Sequence, residues 1–117
     1  MTAAARALPR FLDHQDAERV IRAGPLRIDV AAVTATVGGV RLPLALKEFE
    51  LLLALADRAG KVVTTADLVE QVWGPGQPGG AESLKVHVMR LRKRLKDAVG
   101  RDGIRTVRGL GYALDLP

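Results

Sequence analysis

The chain contains no cysteine. That removes a disulfide framework, thiolate metal sites and cysteine nucleophiles, and it fits a reducing compartment. No apolar run approaches the ~18 residues that a membrane span needs. Near the N-terminus, MTAAARALPRFL is too short and too interrupted for a secretory signal, and Asp13, Asp16 and Glu18 soon follow. Only two histidines are present, His14 and His87. No carboxylate pair stands beside a polar cluster, and no phosphate-cradling glycine loop follows a suitable strand. The Gly-rich stretch 74–80 contains two prolines and lacks the Lys-Ser/Thr ending of a phosphate loop. These absences argue against an enzyme, and they imply no metal and no cofactor.

What the 117 residues do hold is apolar side chain, 48%, enough for one domain with one modest core. The formal net charge of +5 is unevenly placed. Residues 1–81 carry nine bases and nine acids, whereas residues 82–117 carry nine bases against Glu82, Asp97, Asp102 and Asp115. A neutral body with a basic end points to a polyanionic partner. The plainer alternative is a solvated basic helix with no partner.

Residues 1–24 read as a leader, mobile or weakly docked, in which Asp13–Ala23 forms a short helix closed by Gly24-Pro25. The domain proper is expected over 25–117. Leu26–Val30 alternates with period two, and Thr34–Val37 and Val40–Leu44 flank a Gly38-Gly39 turn, which predicts a hairpin within an antiparallel sheet of three or four strands. Lys47–Arg58 reads as a helix apolar on two sides, hence buried between the sheet and other helices. Gly60 is placed to cap it. Val62-Val63 suits a short strand. Thr64 with Asp67 resembles a capping box opening a helix over Thr65–Trp73. The stretch 74–80 breaks the chain as an exposed loop. Glu82 or Ser83 then opens a long helix running to Val99-Gly100. Ile104–Val107 and Tyr112–Leu116 form a C-terminal hairpin with Arg108 near its tip.

The long helix begins SLKVHVMRLRKRLK, six bases and no acid. At helical spacing Leu84, Val88, Leu91, Leu95 and Val99 make one stripe, the core face. Lys85, Val86, Met89, Arg90, Lys93 and Lys96 lie opposite. An α-helix fits the major groove of DNA, where bases release phosphate counterions, an arginine pairs with guanine and an apolar side chain meets a thymine methyl. An exposed valine among bases suits that task, although single exposed valines are also common. A helix, a short connection, a basic helix and a hairpin make a helix-turn-helix with a wing, and the wing's Arg108 suits a minor groove.

At this point LKEFELLLALADRAGKVVTTADLVEQVWG, SLKVHVMRLRKRL and IRTVRGLGYAL resemble the winged helix-turn-helix effector domain of two-component response regulators of OmpR/PhoB type. The resemblance covers residues 25–117. It implies an α+β fold: an N-terminal antiparallel sheet, three helices and a C-terminal β-hairpin wing. It implies sequence-specific promoter binding in a bacterial cytoplasm, at the nucleoid, by a monomer that pairs in tandem on direct repeats of double-stranded DNA. It also implies a contact with RNA polymerase through loop 74–81, and no membrane.

By position, the resemblance assigns Val86 and Arg90 to bases. It assigns Ser83, His87 and Arg92 to phosphates, with Lys93 as a further one. Trp73 is placed near the DNA backbone, Arg108 in the minor groove, and Thr106, Gly109 and Tyr112 near phosphates. Lys85 and Met89 complete the DNA-facing set, although an acid is frequent in the family at the first position and a polar or basic residue at the second. Structural alternatives stand beside these: core packing for Trp73, a hydrogen-bonding side chain for His87, hairpin packing for Tyr112, and turn geometry for Gly109 and Gly111. Glu82 replaces a residue often basic in the family. Ala45 replaces the usual Thr before the first helix, a loss of about 1 kcal/mol if no other cap serves. No receiver domain precedes residue 25, which fits either a standalone protein or a piece of a longer regulator. Glu82 and the missing receiver motivate a second reading, a winged-helix protein-interaction module that does not read DNA.

Overall fold

Residues 19–116 are described in the computed structural model. Period-two alternation organises the first half: Leu26, Ile28, Ala35 and Val37 are buried, and the side chains between them face outward. Strands β1 (Val20–Ala23), β2 (Leu26–Asp29), β3 (Thr34–Val37) and β4 (Val40–Arg41) pair antiparallel in sequence order. The helix expected over Asp13–Ala23 is therefore corrected at its end, because Val20–Ala23 pairs residue for residue with Leu26–Asp29 as a strand. The β-branched Val20 and Ile21 suit a strand better than a helix, and pairing with β2 fixes them there. Residues 13–18 of that segment lie outside the described residues, and β1 moves the start of the folded unit ahead of residue 25.

Helix α1 (Leu46–Ala56) is buried along almost its whole length, with Leu51, Leu52, Leu53 and Leu55 at 1% exposure or less. It sits between the sheet and the other helices as its two apolar sides require. Its C-cap is Asp57, not Gly60, which closes the turn that follows. Ala45 offers no side-chain acceptor, but Glu48 Oε1 accepts from the Ala45 amide at 3.0 Å, so half of a capping box survives.

Strand β5 (Val63–Thr64) leads into α2 (Thr65–Trp73), and α3 (Gly80–Val99) ends at the left-handed Gly100. Strands β6 (Ile104–Val107) and β7 (Gly111–Leu114) form the C-terminal hairpin, and β5 adds to β7 as a third strand. One apolar core runs through the four-stranded sheet, all three helices, Ile104 and Leu114.

Candidate nucleic-acid interface

The helix-turn-helix is set by two local devices. Thr64 Oγ1 accepts from the Asp67 amide at 3.1 Å, which satisfies one of the amide donors left free at the start of α2. At the other end, Gly80 is buried against Val69. A Cβ at Gly80 would overlap that side chain, so only glycine lets α3 approach α2 this closely. This contact starts α3 at Gly80, ahead of the expected Glu82 or Ser83. Between the helices, Gly74 is buried and Pro75–Gly79 are exposed.

Leu84, Val88, Leu91 and Leu95 of α3 are at 2% exposure or less, and Val99 is half-buried. The opposite face holds Lys85, Val86, Met89, Arg90, Lys93 and Lys96, all exposed. Val86 stands at 38% and Met89 at 65% exposure, in solvent rather than against a neighbouring loop. Lys85 and Arg90 have no hydrogen-bonding or ion-pair partner among the described residues. Lys93 pairs with Asp97 one turn on, at 3.2 Å, and both remain well exposed.

The other two arginines of the basic run are committed to the fold. The Arg92 guanidinium donates to the Ile104 carbonyl from Nε at 3.1 Å and Nη2 at 2.9 Å, and to Thr106 Oγ1 at 2.6 Å. It also lies 5.9 Å from the Tyr112 ring centroid, within cation–π range. The α3 helix and the wing are thereby joined by one side chain. The Arg94 Nε lies 3.5 Å from the carboxylate of Glu48, which is 2% exposed. Glu50, at 3% exposure, pairs with Lys47 Nζ at 3.1 Å, and the same ammonium donates to the Val72 carbonyl at 2.7 Å. Sequence reasoning missed these links. Their partners are distant in the chain, and the only signal was acids inside an apolar helix.

Trp73 and His87 meet edge to face, with ring centroids 5.2 Å apart. His87 Nδ1 lies 2.7 Å from the Ser83 carbonyl, so that nitrogen must carry the proton and donate. Ser83, His87 and Trp73 are thus neighbours at one end of α3, all half-buried. Among the described residues no cluster of His and acids could hold a metal ion.

On the wing, Arg108, Gly109 and Leu110 are exposed at the turn, and Tyr112 is half-buried against the core. Arg108 has no side-chain partner among the described residues. Gly109 adopts φ +77°, a left-handed turn conformation. The reason for Gly111 is different from turn geometry. A Cβ there would strike the Val63 carbonyl, so this glycine permits β5 to pair with β7. The wing is further tied down by Thr65 N–H to the Leu110 carbonyl at 3.1 Å and Gly60 N–H to the Leu114 carbonyl at 2.9 Å.

This geometry has close relatives. Residues 39–114 match the family described as "Transcriptional regulatory protein, C terminal". The sensory transduction protein RegX3 of Mycolicibacterium smegmatis is 41% identical over 92% of this chain and 49% of its own length. The DNA-binding response regulator MtrA of the same species is 38% identical over all of this chain and 51% of its own length. The chain spans about half the length of these curated relatives. The RstA DNA-binding domain of Klebsiella pneumoniae, solved in complex with RstA box, superposes with a TM-score of 0.71. It is 32% identical over 83% of this chain and 97% of that one. The chain belongs to the family of C-terminal domains of transcriptional regulatory proteins, the winged helix-turn-helix of OmpR/PhoB-type response regulators.

Proposed function

We propose that this domain binds double-stranded DNA sequence-specifically and regulates transcription, with α3 in the major groove and Arg108 in the minor groove. The observation that carries the reading is the outward face of α3, where Val86 and Met89 stand in solvent beside Arg90, which has no partner within the described residues. Arg90 is assigned to a base edge and Val86 and Met89 to thymine methyls. Ser83, Lys85 and His87 in the N-terminal half of the helix serve phosphates, as does Lys93 in its C-terminal half, with Trp73 beside the backbone they grip. Thr106, Gly109 and Tyr112 do so on the wing. Arg92 is the exception to its expected phosphate role. With three donors engaged on Ile104 and Thr106, it positions the wing against α3. MtrA is a DNA-binding response regulator and the RstA DNA-binding domain was solved in complex with RstA box, which supports the reading.

The domain acts in the bacterial cytoplasm at the nucleoid, as a monomer that pairs in tandem on direct repeats. Its surface toward RNA polymerase is the loop 74–81, beside an open groove of about 590 Å³ lined by Val69, Glu70, Pro75 and Ala81. Selection of bound duplexes from a random pool at near-physiological salt tests the proposal. An enriched motif is expected, with two direct half-sites about one helical turn apart. Arg90→Ala should then weaken the selected site by about 1–3 kcal/mol relative to random DNA. Equal losses on all sequences would remove the base-reading role, and retention without enrichment would remove sequence specificity altogether.

A further inference from the structure

The outer face of the N-terminal sheet carries a charged row that the helix-turn-helix does not use. Strand register sets Arg22 opposite Arg27, Arg27 opposite Thr36, and Thr36 opposite Arg41. Their chain neighbours Ile21, Leu26, Ile28, Ala35 and Val37 are buried, so alternation sends this row to the face away from the core. All three arginines are exposed, and none has a hydrogen-bonding or ion-pair partner among the described residues. With strands ~4.8 Å apart, the row crosses the sheet in roughly 14 Å.

Like charges directly opposite on paired strands repel, and Arg22 and Arg27 are such a pair. Neither forms an ion pair with an acid within the described residues. Asp29 lies on the same face but in the adjoining row, opposite Val20 and Thr34, and its carboxylate accepts from the Ala32 amide at 3.2 Å. The sheet's inner residues and the α3 stripe share one core. The arginines leave that core on one side, and Lys85, Val86, Met89 and Arg90 leave it on another. A duplex seated on α3 therefore leaves the arginine row open.

We propose that this face docks an acidic surface of a protein partner, whose carboxylates meet Arg22, Arg27 and Arg41. Guanidinium groups suit this task because they bind carboxylates through paired hydrogen bonds. A protein fits the face better than a second nucleic acid does. Arginines set among Val20, Thr34 and Thr36 have the mixed apolar and polar character of a protein interface rather than the dense basic surface that grips a phosphate backbone. The face is small against the roughly 800 Å² per partner of stable interfaces, so the contact is transient and salt-sensitive.

The test saturates the full chain with its selected duplex, which occupies α3, and then adds a short fluorescein-labelled poly-glutamate peptide. The expected result is binding that weakens with salt and falls by roughly tenfold or more in Arg22→Gln/Arg27→Gln/Arg41→Gln. Duplex affinity should hold in that variant and its unfolding midpoint should not fall, and Arg22→Gln alone should already raise the midpoint by relieving the like-charge pair. No peptide binding, or equal binding by the triple variant, overturns the proposal. A non-operator duplex bound in preference to the peptide, and lost in the triple variant, overturns it in favour of a second nucleic-acid surface. Duplex affinity is read in the same titration, so failure of the DNA reading would show separately, and the peptide arm is then read on the free chain.

Discussion

Helix α1 buries two carboxylates, Glu48 and Glu50, while helix α3 holds two apolar side chains, Val86 and Met89, in solvent. Both depart from the rule that apolar groups go inside and charges outside. The departures in α1 are answered within the chain: Glu48 meets the Ala45 amide and Arg94, and Glu50 meets Lys47. Those in α3 are answered by nothing within the described residues. A buried charge with internal partners is architecture, because it ties α1 to the neighbouring helices. An exposed apolar pair without partners is a surface that acquires its meaning on contact with something else. The same contrast divides the bases of α3, where Arg92 and Arg94 belong to the frame and Lys85 and Arg90 do not.

The contrast can be broken most forcefully in the core. Leu52→Ala, at a fully buried position of α1, should lower stability by about 2–5 kcal/mol in urea unfolding. The folded fraction should keep its duplex affinity, and a change in sequence preference would mean that core and reading surface are not separable. Next is Glu48→Ala, which removes the acceptor at the Ala45 amide and the partner of Arg94. Because Arg94 is 41% exposed, its share is discounted, and a loss of about 1–3 kcal/mol is expected. An unchanged midpoint would show that the buried carboxylate is not structural.

A smaller effect sharpens the division among the bases. If Arg92 acts by positioning the wing, Arg92→Ala weakens DNA binding in the parent chain but hardly at all once Arg108→Ala is present. The coupling should be about 0.5–3 kcal/mol. Additive losses, together with a shallower salt dependence, would make Arg92 a phosphate ligand instead. The smallest effect belongs to Lys85→Ala. Stability should not move, and the slope of binding against salt should fall by about one.

Periodicity made much of this legible. The stripe of α3, the Gly38-Gly39 hairpin, the Thr64 cap and the C-terminal hairpin are local patterns and all are present. The strand expected over Val40–Leu44, however, ends at Arg41, and that expected over Tyr112–Leu116 runs Gly111–Leu114. What stayed hidden depends on contacts far apart in the chain. Val20–Ala23 is a strand only because β2 is there to pair with it. Gly80 reads as a breaker until Val69 is seen against it. Arg92 reads as one more free base until Ile104 and Thr106 are seen to accept its hydrogen bonds. The outward face of α3 was legible as a candidate surface because Val86 sits opposite a clear apolar stripe, and the arginine row was not, because register joins residues from four strands.

Thr64 is at once the last residue of β5 and the cap of α2, and β5 pairs with residues 111–112 of β7. During synthesis, the first turn of the helix-turn-helix leaves the ribosome nearly fifty residues before its strand partner does. The helix and wing come into register only when β7 emerges. A ribosome stalled before that point displays the basic helix without the frame that aims it.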